Sequence, residues 1–123
     1  MSRLILIVED SETCAETLQI ALESIPGTET RISKSPKAAL AVALADGIDL
    51  AAVVTDLHLA QYDGIDLIRR FREQPRFAQL PIVLISGDSN PGLPARALAE
   101  GASAFFSKPY SPSAVRRKLE QLI

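Results

Sequence analysis

At 123 residues the chain has room for one domain with a core of its own. Its 47% hydrophobic and 23% charged residues suit a globular protein and exclude a disordered or fibrous one. The net charge of −2 offers no bulk attraction to nucleic acid or an anionic membrane surface, and no apolar stretch approaches the ~20 residues of a membrane span.

The first element is the apolar run Leu4–Val8, a strand by its β-branched content and lack of polar alternation. Arg3 before it resembles the start of a signal peptide, but Glu9-Asp10 ends the run below the roughly 7–15 residues that a signal core needs. A cytoplasmic location is the expectation. The single Cys14 cannot form an internal disulfide, which agrees. It reads as a small hydrophobe on the first helix, since no neighbouring cation or histidine would activate it. Ser11 can cap that helix, which runs to about Ile25 with Leu18 and Leu22 on one face and Pro26-Gly27 after it. Glu29–Ile32 is a short, weakly marked second strand. Ser35-Pro36 opens a second helix through Ala38, Leu40 and Val42 that stops near Gly47.

The third strand is the apolar run from Leu50 to Thr55, ended by Asp56. A loop from His58 to Asp63 leads to a helix over Gly64–Arg72. Pro75 and Pro81 bracket the approach to a fourth strand, Ile82–Ile85, which ends in Ser86. Pro91 and Pro94 flank the start of a short helix that Gly101 ends. Ala104–Phe106 is the fifth strand and leads through Ser107 to Lys108-Pro109. Ser111-Pro112 opens a last helix bearing Val115, Leu119 and Leu122. No repeat, low-complexity tract or linker interrupts this order. Residues 1–123 are therefore read as one domain, with no room for an effector domain. A strand–helix pair repeated five times implies an α/β, doubly wound (βα)5 three-layer sandwich with a parallel sheet and right-handed crossovers.

Sheets of this kind place their sites at the carboxyl ends of the strands. Here those ends deliver an acid pair, an acid, a hydroxyl and an ammonium group. Two parallel strands would bring Glu9, Asp10 and Asp56 together, which costs repulsion unless a proton or cation intervenes. Hard oxygen ligands suit Mg²⁺. Each residue also has a plainer reading. Glu9-Asp10 could be helix-start acids favoured by the macrodipole. Asp56 could be a solvated strand-end acid, Ser86 a turn serine before Gly87, and Lys108 a surface lysine. The helix-start reading of Glu9-Asp10 does not explain a third acid at the neighbouring strand's end.

The set Glu9-Asp10, Asp56, Ser86 and Lys108-Pro109 resembles the receiver domain of two-component response regulators, of the chemotaxis-regulator kind, from end to end of the chain. The resemblance implies a flavodoxin-like sheet in the order 2-1-3-4-5. It makes Asp56 the phosphoacceptor, with Ser86 and Lys108 as the groups that answer the phosphoryl oxygens. Mg²⁺ would be held by Glu9, Asp10, Asp56 and the His58 backbone carbonyl. Ser86 and Phe105 would form the switch, and the Lys108–Pro109 bond would be cis, with Pro109 aiming the lysine. Asp63-Gly64 resembles the family's acid–glycine pair, where Gly64 permits a left-handed backbone conformation. Two departures stand out: Leu59-Ala60 where the family often has Met-Pro, and Gly87 where alanine is common.

The implied partners are a sensor histidine kinase or phosphotransfer protein upstream and an effector protein or domain downstream. The resemblance leaves room for a phosphorylation-dependent dimer, with no direct nucleic-acid or membrane partner. The chemistry would be limited to the chain's own phosphorylation and slow dephosphorylation, with the surface of the fourth helix, fifth strand and fifth helix as output. His58 reads as a loop side chain beside the acceptor, with a phosphohistidine relay as the alternative. Arg116, Arg117 and Lys118 read as a solvated basic face. Three other functions compete. A degenerate receiver used only for docking would not need the intact set. A metal-dependent phosphatase would want Asp-x-Asp, where this chain has Asp56-Leu57-His58. A flavin-binding domain would need a phosphate loop where the acidic Glu9–Glu12 stands.

Overall fold

The computed structural model describes residues 3–59 and 62–123. The strands are β1 (Arg3–Val8), β2 (Thr28–Ser33), β3 (Leu50–Asp56), β4 (Ile82–Ser86) and β5 (Ala104–Ser107). The helices are α1 (Glu12–Leu22), α2 (Pro36–Leu44), α3 (Gly64–Glu73), α4 (Leu93–Ala99) and α5 (Pro112–Leu122). The strands form one parallel sheet in the order β2-β1-β3-β4-β5. This is the flavodoxin-like, doubly wound fold read from the sequence.

The all-apolar runs account for the sheet's interior. Leu4–Val8 and every residue of β3 are buried, as strands covered on both faces must be. Successive side chains point to opposite faces. Leu4, Leu6, Val8 and Val53 therefore join Ala39, Ile65, Phe71 and Ala97 in a core under α2, α3 and α4. Ile5, Ile7 and Val54 join Ala15, Leu18, Val115 and Leu119 under α1 and α5. Strand β2 lies at the edge, where half-exposed and exposed residues alternate, which is why its sequence signal is weak.

Local chemistry starts the helices. The hydroxyls of Ser11, Ser35 and Ser111 accept the N–H groups of Cys14, Ala38 and Ala114. Pro36 and Pro112 occupy first-turn positions whose N–H would be unbonded in any case. Two α3 arginines hold the far end of α4. Arg69 forks onto the Glu100 carboxylate at 2.6 and 2.8 Å. Arg72 donates to the Gly101 carbonyl at 3.1 and 2.7 Å and to the Phe77 carbonyl at 2.7 Å.

Three boundaries differ from expectation. Helix α1 stops at Leu22, short of Ile25, because Ile25 precedes Pro26 and a residue before proline is disfavoured in a helix. Helix α2 stops at Leu44, since Ala45 is already extended and Gly47, at φ 78°, belongs to the turn beyond it. The segment after Asp56, expected as plain loop, carries a short antiparallel ladder pairing His58 with Asp63 and Leu59 with Tyr62. Two residues a side are too few for alternation to reveal.

Candidate functional site

Parallel register sets the site. Val8 lies beside Thr55 on the neighbouring strand, so the next residues, Glu9 and Asp56, emerge together at the carboxyl edge. Both are buried, with Glu9 4% and Asp56 6% exposed. Two buried carboxylates side by side repel, and one cation answers both. Lys108 Nζ lies 2.6 Å from Asp56 Oδ2 and 3.9 Å from Glu9 Oε2. The shorter contact is a charge-assisted hydrogen bond. Backbone donors fix the remaining oxygens. His58 N–H donates to Asp56 Oδ1 and Ser11 N–H to Glu9 Oε1, each at 3.1 Å. Lys108 is positioned through its own main chain: its N–H donates to the Ser86 carbonyl at 2.8 Å, one step beyond the β4–β5 pairing. The Lys108–Pro109 peptide bond is cis.

This crowding shifts protonation. Burial, reinforced by the neighbouring Asp56 carboxyl, pushes Glu9 up to about 7, against the opposing pull of Ser11 N–H and the Lys108 charge. For Lys108 burial disfavours the ammonium, but the hydrogen bond to Asp56 and the charges of Asp56 and Glu9 outweigh it, and its pKa is raised.

Of the expected metal ligands, the structure joins Glu9 and Asp56 but not Asp10, which is exposed at the start of the β1–α1 turn. Among the described residues, no three His, Cys, Asp or Glu side chains converge as a metal cage. The donors that do converge are oxygens only. That chemistry fits Mg²⁺, which commonly takes one or two carboxylates and keeps several waters.

Ser86 is fully buried at the end of β4, and its hydroxyl accepts the Asp88 N–H at 2.9 Å. Phe105, opposite Leu84 in β5, is half-buried against the core under α2, α3 and α4. The His58 side chain is exposed, and its Nε2 lies 3.6 Å from Asp88 Oδ2. That contact joins the loops after β3 and β4 beside Asp56, and Asp88 was not among the residues singled out from sequence. Nothing in its local sequence marks it except its place two residues after Ser86.

Gly64 is required for a reason other than the one expected. The described positive-φ glycines are Gly27, Gly47 and Gly101, so Gly64 is not left-handed. A side-chain carbon there would instead collide with the Asp56 carbonyl oxygen. Its N–H donates to the Leu57 carbonyl at 2.6 Å, and Asp63 Oδ1 accepts the Ile65 N–H at 2.7 Å to start α3. Leu59 is buried, whereas Ala60 lies outside the described residues. On α5, Arg116 pairs with Glu120 at 3.2 Å and Arg117 is exposed.

Comparison with known proteins identifies the family. The family model of the response regulator receiver domain matches residues 5–120. The two-component response regulator ORR3 of Oryza sativa is 29% identical over 119 residues, covering 97% of this chain and 89% of that protein. Chemotaxis protein CheY1 of Helicobacter pylori is 25% identical over 119 residues, covering 97% and 95%. The crystal structure of the signal receiver domain of a signal transduction histidine kinase from Syntrophus aciditrophicus superposes with a TM-score of 0.82. It is 30% identical and covers 98% of this chain and 89% of that one.

Proposed function

The chain belongs to the response regulator receiver domain family, and on that premise we propose that it is a phosphoacceptor switch of a two-component system. An Asp56 oxygen attacks the phosphorus of a phosphohistidine on a sensor kinase or phosphotransfer protein. An O–P bond forms as the P–N bond breaks, and the imidazole leaves with the electron pair. Positioning and charge neutralisation carry most of such a transfer. The observation that carries this reading is the buried Asp56 held by Lys108 Nζ at 2.6 Å while Glu9 crowds the same ammonium.

Each group has a part. Lys108 restrains Asp56 at rest and moves to a phosphoryl oxygen after transfer. Glu9, Asp56 and the His58 carbonyl would hold Mg²⁺, joined by Asp10 once its exposed side chain turns in toward them, and the ion when bound offsets the negative charge of the phosphoryl oxygens. The Ser86 hydroxyl exchanges the Asp88 N–H for a phosphoryl oxygen. The space it vacates admits the Phe105 ring, and the face formed by α4, β5 and α5 changes for an effector or a second copy. The whole chain, residues 1–123, acts as one receiver unit and turns over no external substrate beyond its phosphodonor. Its place of work is the cytoplasm, where such kinases present their phosphohistidine. No helix among the described residues is long and apolar enough to cross a membrane.

Acetyl phosphate with Mg²⁺ tests the reading. Intact-mass analysis should show one added phosphoryl group on the wild type and none on Asp56→Asn. Equal uptake by both would overturn it.

A further inference from the structure

A hollow of about 600 Å³ lies between the start of α2 and α3, and it shares no lining residue with the carboxylate–lysine site. Lys34, Lys37 and Arg70 line it together with Ser35, Leu40 and Tyr62. No carboxylate lines it among the described residues, although the chain is net negative. Lys34 is paired from outside the hollow, 3.1 Å from Glu12. Among the described residues Lys37 and Arg70 form no ion pair. Two unpaired cations and a third engaged by Glu12 face one concavity, and a bound polyanion would offset the charge left over.

Arg70 is also held in place without being neutralised. Its guanidinium lies 5.2 Å from the centre of the Tyr62 ring, and one N–H donates to the Tyr62 hydroxyl at 3.1 Å. The ring fixes the fork, and the other N–H groups are left for an acceptor. Leu40 and Tyr62 supply an apolar wall, and the volume is that of an ordinary small-molecule site. The start of α2 adds little, because Pro36 has no N–H and the Ser35 hydroxyl already takes the Ala38 N–H at 3.2 Å. Recognition therefore rests on the side chains.

We propose that this hollow binds an organic polyphosphate of the nucleoside diphosphate class. The phosphates lie against Lys34, Lys37 and Arg70, and the ring system lies against Leu40 and Tyr62. The site is independent of phosphotransfer. Tyr62 pairs with Leu59 in the ladder that follows Asp56, so the hollow adjoins the acceptor loop without belonging to it.

The test titrates ADP into the full chain without divalent cations and follows amide resonances, with tripolyphosphate as the ring-free comparison. Saturable one-to-one shifts are expected at residues 34–40 and at Tyr62 and Arg70, with ADP binding more tightly than tripolyphosphate. Arg70→Gln and Lys37→Gln, both at exposed positions, should each weaken ADP about tenfold. Arg117→Gln, in the basic cluster of α5, should change nothing. Three results would each overturn the proposal: unchanged ADP affinity in Arg70→Gln, shifts spread over α5, or tripolyphosphate binding as tightly as ADP.

Discussion

Glu9 shows how burial and charge compete at a single residue. Its carboxyl is pushed from 4.5 to about 7 in the folded protein, mainly by burial. A raised carboxyl pKa means that the folded state prefers the protonated form. The associated stability is complete below pH 4.5, falls as pH rises through about 7, and stays low above it. The loss is on the order of 3 kcal/mol. Urea unfolding of the metal-free protein across this range should show it, and Glu9→Gln should flatten the curve. Parallel curves for the two proteins would contradict the assignment. Mg²⁺ at pH 7.5 should restore part of the lost stability in the wild type, because a cation favours the ionised form. The pairing of Glu9 with Asp56 was legible in sequence, since each ends an apolar run and parallel register does the rest. The exposure of Asp10 was not legible, because a side chain one residue past a strand end answers to the turn rather than to the pattern. The His58–Asp88 contact, between two loops, was hidden for the same reason.

At the scale of elements, the approach of α3 to β3 depends on one missing atom. Gly64→Ala would drive a methyl group into the Asp56 carbonyl. It should cost about 1–3 kcal/mol by thermal unfolding and slow phosphoryl uptake, because the strand end must shift. An unchanged melting temperature would mean that the loop relaxes freely. The proposed switch belongs to the same scale. Ser86→Ala should keep phosphorylation of Asp56 but lose most of the amide shift that a phosphoryl mimic with Mg²⁺ causes around Ser86–Gly101 and Phe105–Tyr110. Helix α2, on the same face but toward the far edge of the sheet, should stay nearly still in both proteins. An undiminished distal shift in the variant would separate Ser86 from signalling. Elements with caps and long apolar runs were readable from sequence: Ser35-Pro36 and Ser111-Pro112 open α2 and α5 as expected. The helix ends were less readable, because Leu22 and Leu44 stop where local backbone geometry decides, several residues before the visible proline or glycine.

For the molecule as a whole, burial is concentrated in the middle of the sheet. Strands β1 and β3 are flanked on both sides and covered on both faces, whereas β2 and β5 are edges. Amide exchange should therefore be slowest in Ile5–Ile7 and Val53–Val54 and faster in Thr28–Ser33 and Ala104–Ser107. Uniform protection across all five strands would indicate a single opening unit. This layering was the most legible feature of the sequence, since an apolar run without alternation suits a strand covered on both faces. The hairpin-like ladder after Asp56 was the least legible, at two residues a side.

The arginine clamps at the far end of α4 carry a mechanical consequence. With Glu100 and Gly101 tethered to α3, the helix is held at its C-terminal end. The opposite end has no side-chain cap and begins after Pro91-Gly92. On the proposed switching, a pull at Ser86 would be taken up by the exposed residues 87–92 ahead of the helix, since Leu93 itself is buried in the core under α2, α3 and α4. A partner that gauges the state of Asp56 would gain most by gripping that exposed approach to α4 rather than the tethered end of the helix.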